Sequence, residues 1–107
     1  MTYKQNKKLI EFNIPNNAIN IYGNHPAKSA LLSSNRNCYL IGTTEKKFDY
    51  WNNFLINNKI NTKIVLLETF ELDKISNSNT HQGVIVFASK IIKKKLSEYL
   101  KNLSFKK

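Results

Sequence analysis

Two histidines, His25 and His81, are the only imidazoles in the chain, and each stands two residues from a glycine, Gly23 and Gly83. An imidazole held at a turn can stack on a base, donate to a phosphate or move a proton. Proton chemistry also asks for a nearby carboxylate or nucleophile. Few carboxylates lie close to either histidine in the sequence, and no nucleophile motif is present. Neither GxxxxGK[ST] nor GxGxxG occurs, so the two glycines read as backbone devices that permit positive φ or close approach. Cys38 is the single cysteine, which excludes an internal disulfide and a cysteine-built zinc site. No residue pattern calls for a metal. The chemistry left is binding.

Charge says what could be bound. The formal net charge is +10, from 17 basic and 7 acidic residues, and a small basic domain gathers polyanions, nucleic acid first among them. Abundant lysine also has a plain reading as solvated surface, and Arg36 is the sole arginine, the better residue for bidentate phosphate contacts. The charge is uneven. Residues 13–89 are nearly balanced, whereas residues 90–107 carry Lys90, Lys93, Lys94, Lys95, Lys101, Lys106 and Lys107 against Glu98 alone. Lys28, Arg36, Lys46 and Lys47 flank the His25 segment and could hold phosphates. Residues 1–14 are too polar for a secretory signal, and no apolar run approaches the roughly 18 residues that span a bilayer. The expectation is a soluble cytoplasmic protein with no membrane partner.

The elements that must position these residues alternate. Ile19–Tyr22 reads as a strand closed by Gly23, and Pro26 opens a helix carrying Ala27, Ala30 and Leu31 to about Ser33. Residues 33–37 form a turn, and residues 38–41 a second strand. Over 45–58, Phe48, Trp51, Phe54 and Leu55 recur at helical spacing and predict an amphipathic helix with a core-facing stripe. Residues 62–67 read as a third strand, whose run Ile64, Val65, Leu66, Leu67 predicts burial on both faces, as in a parallel sheet. Thr69 can cap a short helix with Phe70, Leu72 and Ile75, before a polar loop and a last strand, Val84–Ala88. This alternation predicts an α/β fold, a single three-layer α/β/α sandwich around a mostly parallel sheet. Residues 1–18 form an N-terminal extension with alternating Ile10, Phe12 and Ile14, and two readings stand for it: an added edge strand, or disorder. Residues 19–89 form the domain. Residues 90–107 form a basic amphipathic linker or tail, with Ile92, Leu96, Tyr99, Leu100 and Leu103 on one side.

Two segments stand out together: Tyr22-Gly23-Asn24-His25-Pro26-Ala27-Lys28-Ser29-Ala30-Leu31 and, some fifty residues later, Thr80-His81-Gln82-Gly83-Val84. A Y-G-x-H-x-x-x-x-A-L opening, two strand–helix units and an H-Q-G entry to the last strand resemble the N-terminal substrate-binding domain of SpoU/TrmH-type RNA 2′-O-ribose methyltransferases. The resemblance runs from about Ile21 to Ala88.

It implies a small α/β sandwich similar to RNA-binding ribosomal proteins, joined in the family to a knotted domain that binds S-adenosylmethionine, dimerises and methylates a ribose hydroxyl. None of that second domain's segments (N-x-G-A-x-x-R, G-x-E-G-like, S-L-N-V-S-like) occurs here. The expectation is therefore an RNA-binding domain without its catalytic partner, itself inactive, needing no cofactor, monomeric, and recognising structured RNA, with large-subunit ribosomal RNA the family-weighted substrate. The RNA-binding set is Asn24, His25, Lys28, Arg36, His81, Gln82, Lys93, Lys94 and Lys95. Two rival readings stand beside it. One is a non-enzymatic interaction protein whose basic tail lies on an anionic membrane or a partner. The other is a small enzyme using His25 and His81 as acid and base.

Overall fold

The computed structural model describes Leu9 and residues 12–90. Four strands and three helices alternate: β1 (Ile19–Tyr22), α1 (Asn24–Leu32), β2 (Cys38–Thr43), α2 (Glu45–Asn57), β3 (Lys63–Leu66), α3 (Thr69–Ser76) and β4 (Val84–Ala88). The local causes differ slightly from the sequence expectation. α1 begins at Asn24 rather than at Pro26, because Gly23 turns the chain at φ 94° and its carbonyl accepts the Ala27 N–H at 3.0 Å. Pro26 is still in the first turn, where a missing N–H costs no helical bond. α3 is closed at its start by Glu71, whose carboxylate accepts the Glu68 N–H at 2.9 Å, so Thr69 is the first helical residue and not the cap. In α2, Trp51 and Leu55 are buried while Phe48 and Phe54 are half-buried, which is the expected stripe.

The sheet order is β1-β4-β2-β3. β4 runs antiparallel to both β1 and β2, and only β2 and β3 pair in parallel. The sheet is therefore mixed, and the expectation of a mostly parallel one is corrected. The apolar run that suggested it belongs to an edge strand: β3 has Lys63 exposed and Leu66 47% exposed. The strand buried on both faces is β4, with every residue from Val84 to Ala88 at 0%. A continuous apolar run carries no information on strand direction, and in β3 it does not mark burial on both faces. Its last member, Leu67, lies beyond β3 and is buried under the opposite side of the sheet.

Alternation along β4 separates two cores. Val84, Val86 and Ala88 pack with Ala27, Ala30 and Leu31 of α1 and with Trp51 and Leu55 of α2. Ile85 and Phe87 point to the other face and pack with Leu72 and Ile75 of α3, and with Leu40. Leu9 and Ile14 join this second core, so part of the N-terminal extension belongs to the folded unit. Residues 12–18, the continuous part of the extension that is described, contain turns and no strand. The amphipathic tail beyond Lys90 lies outside the described residues. Among those described, no helix is long and apolar enough to cross a membrane.

Gly42, next to last in β2, has no room for a side chain: a Cβ there would overlap Cδ1 of Leu67 and press on Cγ2 of Ile85 at 3.2 Å. Both neighbours are core residues with little freedom to move. Gly42→Ala is expected to lower stability by about 1–3 kcal/mol through overpacking, read as a fall in the urea midpoint at constant m-value.

Candidate functional site

Strand direction decides where the candidate residues meet. β1 and β2 are each antiparallel to β4, and β3 is parallel to β2. The carboxyl ends of β1, β2 and β3 therefore share one end of the sheet with the start of β4. All three helices begin at that end, at Asn24, Glu45 and Thr69, and direct their partial positive charge to it. The loop before β4 closes over it, bringing the H-Q-G segment to the Y-G-N-H segment.

The contact between the two segments is direct. The Gly23 N–H donates to the His81 carbonyl at 3.1 Å, and the Asn24 N–H donates to Oε1 of Gln82 at 2.8 Å. Gln82 thereby caps α1 from a loop 58 residues away, since Gly23 offers no side chain to do so. Gly83 continues the link to the second helix: its carbonyl accepts the Thr44 N–H at 3.1 Å. A Cβ on Gly83 would meet Cγ of Lys47 and Oγ1 of Thr44, each at 3.0 Å, and its φ of +77° disfavours any other residue. The starts of α1 and α2 are thus stitched together by three consecutive residues, His81, Gln82 and Gly83.

His81 holds that loop in place. Its residue is 4% exposed. Nδ1 accepts the Gly83 N–H at 3.0 Å, and Nε2 lies 2.6 Å from Oδ1 of Asp73 on α3. With one nitrogen accepting from a backbone amide, the other must donate to the carboxylate, so the geometry selects the neutral Nε2–H tautomer. Asp73 supplies the carboxylate that sequence proximity did not suggest, eight residues earlier. The pair resembles a catalytic dyad only in composition: both ring nitrogens are engaged and the ring is enclosed. His81 is a positioning residue for the loop.

The other candidates fall into three groups. Asn24, His25, Lys28 and Gln82 gather at the helix-start end, with His25 and Gln82 exposed and Asn24 and Lys28 half-buried. Lys46 and Lys47, exposed at the start of α2, adjoin them. Lys28 lies over the rings of Tyr50, at 5.1 Å, and Phe54, at 5.8 Å, a cation–π bridge from α1 to α2. Arg36 is not part of this group. Its Nη1 donates to the Ser89 carbonyl at 2.9 Å, beside the start of β2 and just past β4, at the opposite end of the sheet. Lys93, Lys94 and Lys95 lie outside the described residues.

One residue escaped the sequence reading. Tyr50 is 47% exposed, beside Lys28 and edge-on to Trp51 at 5.3 Å. Its signal was available: an aromatic outside the Phe48, Trp51, Phe54, Leu55 stripe has no core to enter.

Cys38 is half-buried and its thiol donates to the Ala30 carbonyl at 3.3 Å. Burial pushes the thiol above its usual range, and the Arg36 charge offsets only part of that shift. The sign follows: the folded state favours the protonated thiol, a contribution that is complete below the ordinary thiol pKa and is lost as pH rises through the raised folded value. Iodoacetamide is expected to modify Cys38 more slowly than a small free thiol at the same pH, with denaturant removing the difference. Mass spectrometry over a time course reads it.

Among the described residues, no cluster of histidine, cysteine and carboxylate side chains could hold a metal ion. Comparison with family models, with curated proteins and with solved structures finds no match to the chain.

Proposed function

We propose that this chain is an RNA-binding, substrate-recognition domain of the kind found in SpoU/TrmH-type 2′-O-ribose methyltransferases, with a three-layer arrangement of helices on both sheet faces. The observation that carries the reading is the direct contact between the two segments on which the resemblance rests, Gly23–Asn24 and His81–Gln82. Two segments far apart in the chain meet at one end of the sheet, where α/β sheets present ligand sites. His25, Lys28, Lys46, Lys47 and the starts of α1 and α2 offer phosphate donors there, and Tyr50 offers a ring for an unstacked base. The domain's part is to bind and orient structured RNA, with ribosomal RNA of the large subunit the first substrate to test. S-adenosylmethionine and the methyl transfer belong, in this reading, to a separate domain.

The test is a titration against a structured ribosomal RNA fragment and a DNA duplex of equal length over a range of salt. The expected result is a preference for RNA that persists at physiological salt. Lys46→Gln with Lys47→Gln should flatten the log–log salt dependence by about 0.7–0.9 for each phosphate the lysines no longer neutralise. Glutamine at Lys93, Lys94 and Lys95 should weaken binding while leaving the RNA preference. Equal affinity for both nucleic acids that salt erases would overturn the reading and leave a generic polycation. Loss of all binding with the tail substitutions alone would favour the tail as the interacting part.

A further inference from the structure

A second feature runs along α1 from its first turn to the turn that follows it. A groove of about 340 Å³ runs between α1 and the edge strand β1. Its wall on α1 is the stripe Pro26, Ser29, Ser33, spaced by helical turns, with Ala30 and Ile21 of β1 as an apolar floor. Asn35 and Arg36 close its far end. The volume is near the lower limit for clefts that take small ligands, room for one nucleotide and far too little for a duplex.

Three observations point to an anionic occupant. No aspartate or glutamate occurs anywhere from residue 12 to residue 44, the stretch that contributes β1, α1, the groove's closing turn and β2. The chain's sole arginine stands in the groove, and its guanidinium is held in orientation by the bond from Nη1 to the Ser89 carbonyl at 2.9 Å. A guanidinium has five N–H donors in a planar fork, so this bond leaves donors that match a phosphate. The turn that carries it is itself braced: the Asn35 N–H donates to Oγ of Ser33 at 3.1 Å, and the Asn37 N–H to Oγ of Ser89 at 2.9 Å.

We propose that this groove is a second RNA contact that holds one unpaired nucleotide, its base or ribose on Pro26, Ala30 and Ile21 and its phosphate at Arg36. The proposal rests on the RNA-binding reading and extends it. Pro26 adjoins His25, so a strand leaving the helix-start end passes along α1 into the groove. The substrate class follows: RNA with a single-stranded stretch beside its structured part, in preference to an uninterrupted duplex.

The experiment uses the full chain and two variants. Ser29→Phe fills the groove from its α1 wall without changing charge, and Arg36→Gln removes the cation. Circular dichroism melts check that each variant folds. The probes are a short oligouridylate bearing one 4-thiouridine, and a hairpin with and without a single-stranded flank. The expected results are a loss of about tenfold in oligouridylate affinity for each variant, and disappearance of the advantage that the flank gives the hairpin. Ultraviolet crosslinks from 4-thiouridine should map to residues 26–36. Unchanged affinity in both variants, with crosslinks confined to residues 24–25 and 46–50, would overturn the groove while leaving the RNA reading intact. An affinity for extended peptides that Ser29→Phe abolishes, without effect on RNA, would overturn it too, and assign the groove and the free edge of β1 to a peptide. Failure of the wild-type chain to bind any RNA would overturn both proposals.

Discussion

His81→Ala is expected to lower stability by about 3 kcal/mol, a large effect for a residue in a surface-connected loop. The ring makes two hydrogen bonds, accepting from the Gly83 N–H and donating to Asp73, and it is almost fully buried. Alanine removes both bonds and leaves the Gly83 amide unsatisfied in a partly buried site, a penalty of about 1–3 kcal/mol by itself. Loss of the ring's packing adds to it. The Asp73 side is worth less than the short distance suggests, because that side chain is 44% exposed and water screens it. Asp73→Asn should therefore cost well under half of what His81→Ala costs.

His81→Asn separates the bonds. An asparagine carbonyl can stand near the position of Nδ1 and accept from Gly83, whereas its short side chain cannot also reach Asp73. Urea unfolding should place His81→Asn between the wild type and His81→Ala. Equal stability of all three within about 0.5 kcal/mol would show that the loop does not depend on the imidazole. A functional readout accompanies it: the loop holds Gln82 against the start of α1, so RNA affinity should fall in His81→Ala although the ring itself is enclosed.

How far the sequence reaches is visible in these residues. Strong local signals located the elements: Ile19–Tyr22 and Val84–Ala88 coincide with β1 and β4, and the Trp51–Leu55 stripe with the buried side of α2. Periodicity and turn residues act over a few positions, so they survive without tertiary information. Pairing does not. β4 inserts between β1 and β2, a contact between residues more than forty positions apart, and no residue in β4 states which neighbour it takes or in which direction. The apolar run of β3 consequently suggested the wrong sheet. The same limit separated Arg36 from the lysines it was grouped with, because its partner Ser89 is 53 residues away. His81 illustrates a middle case. Its type and its glycine neighbour placed it at a turn, and only the position of Asp73 on α3 shows that the ring braces that turn.

Gly23→Ala is the second large effect, and it acts on the helix-start end directly. Gly23 has φ 94° and ψ 155°, a region that only glycine enters without strain. An alanine held there stores about 1–3 kcal/mol. The new Cβ would also lie 3.3 Å from Oε1 of Gln82, closer than a comfortable contact. Gln82 must then give by a few tenths of an ångström, which weakens its bond to the Asn24 N–H, part of a cap worth about 1 kcal/mol in full. The two costs can be told apart by a double-mutant cycle. Gln82→Ala alone removes the cap; in the double variant no oxygen remains to meet the Cβ, so the combined loss should be smaller than the sum by the part of the cap that the Cβ weakens. Backbone strain stays in both Gly23 variants. Strict additivity with a Gly23→Ala loss under about 0.5 kcal/mol would mean that the turn relaxes freely and that the Gly23–Gln82 contact does not set the geometry. If the turn is rigid, RNA affinity should follow the cycle, because the same contact joins the two segments on which the proposed recognition rests.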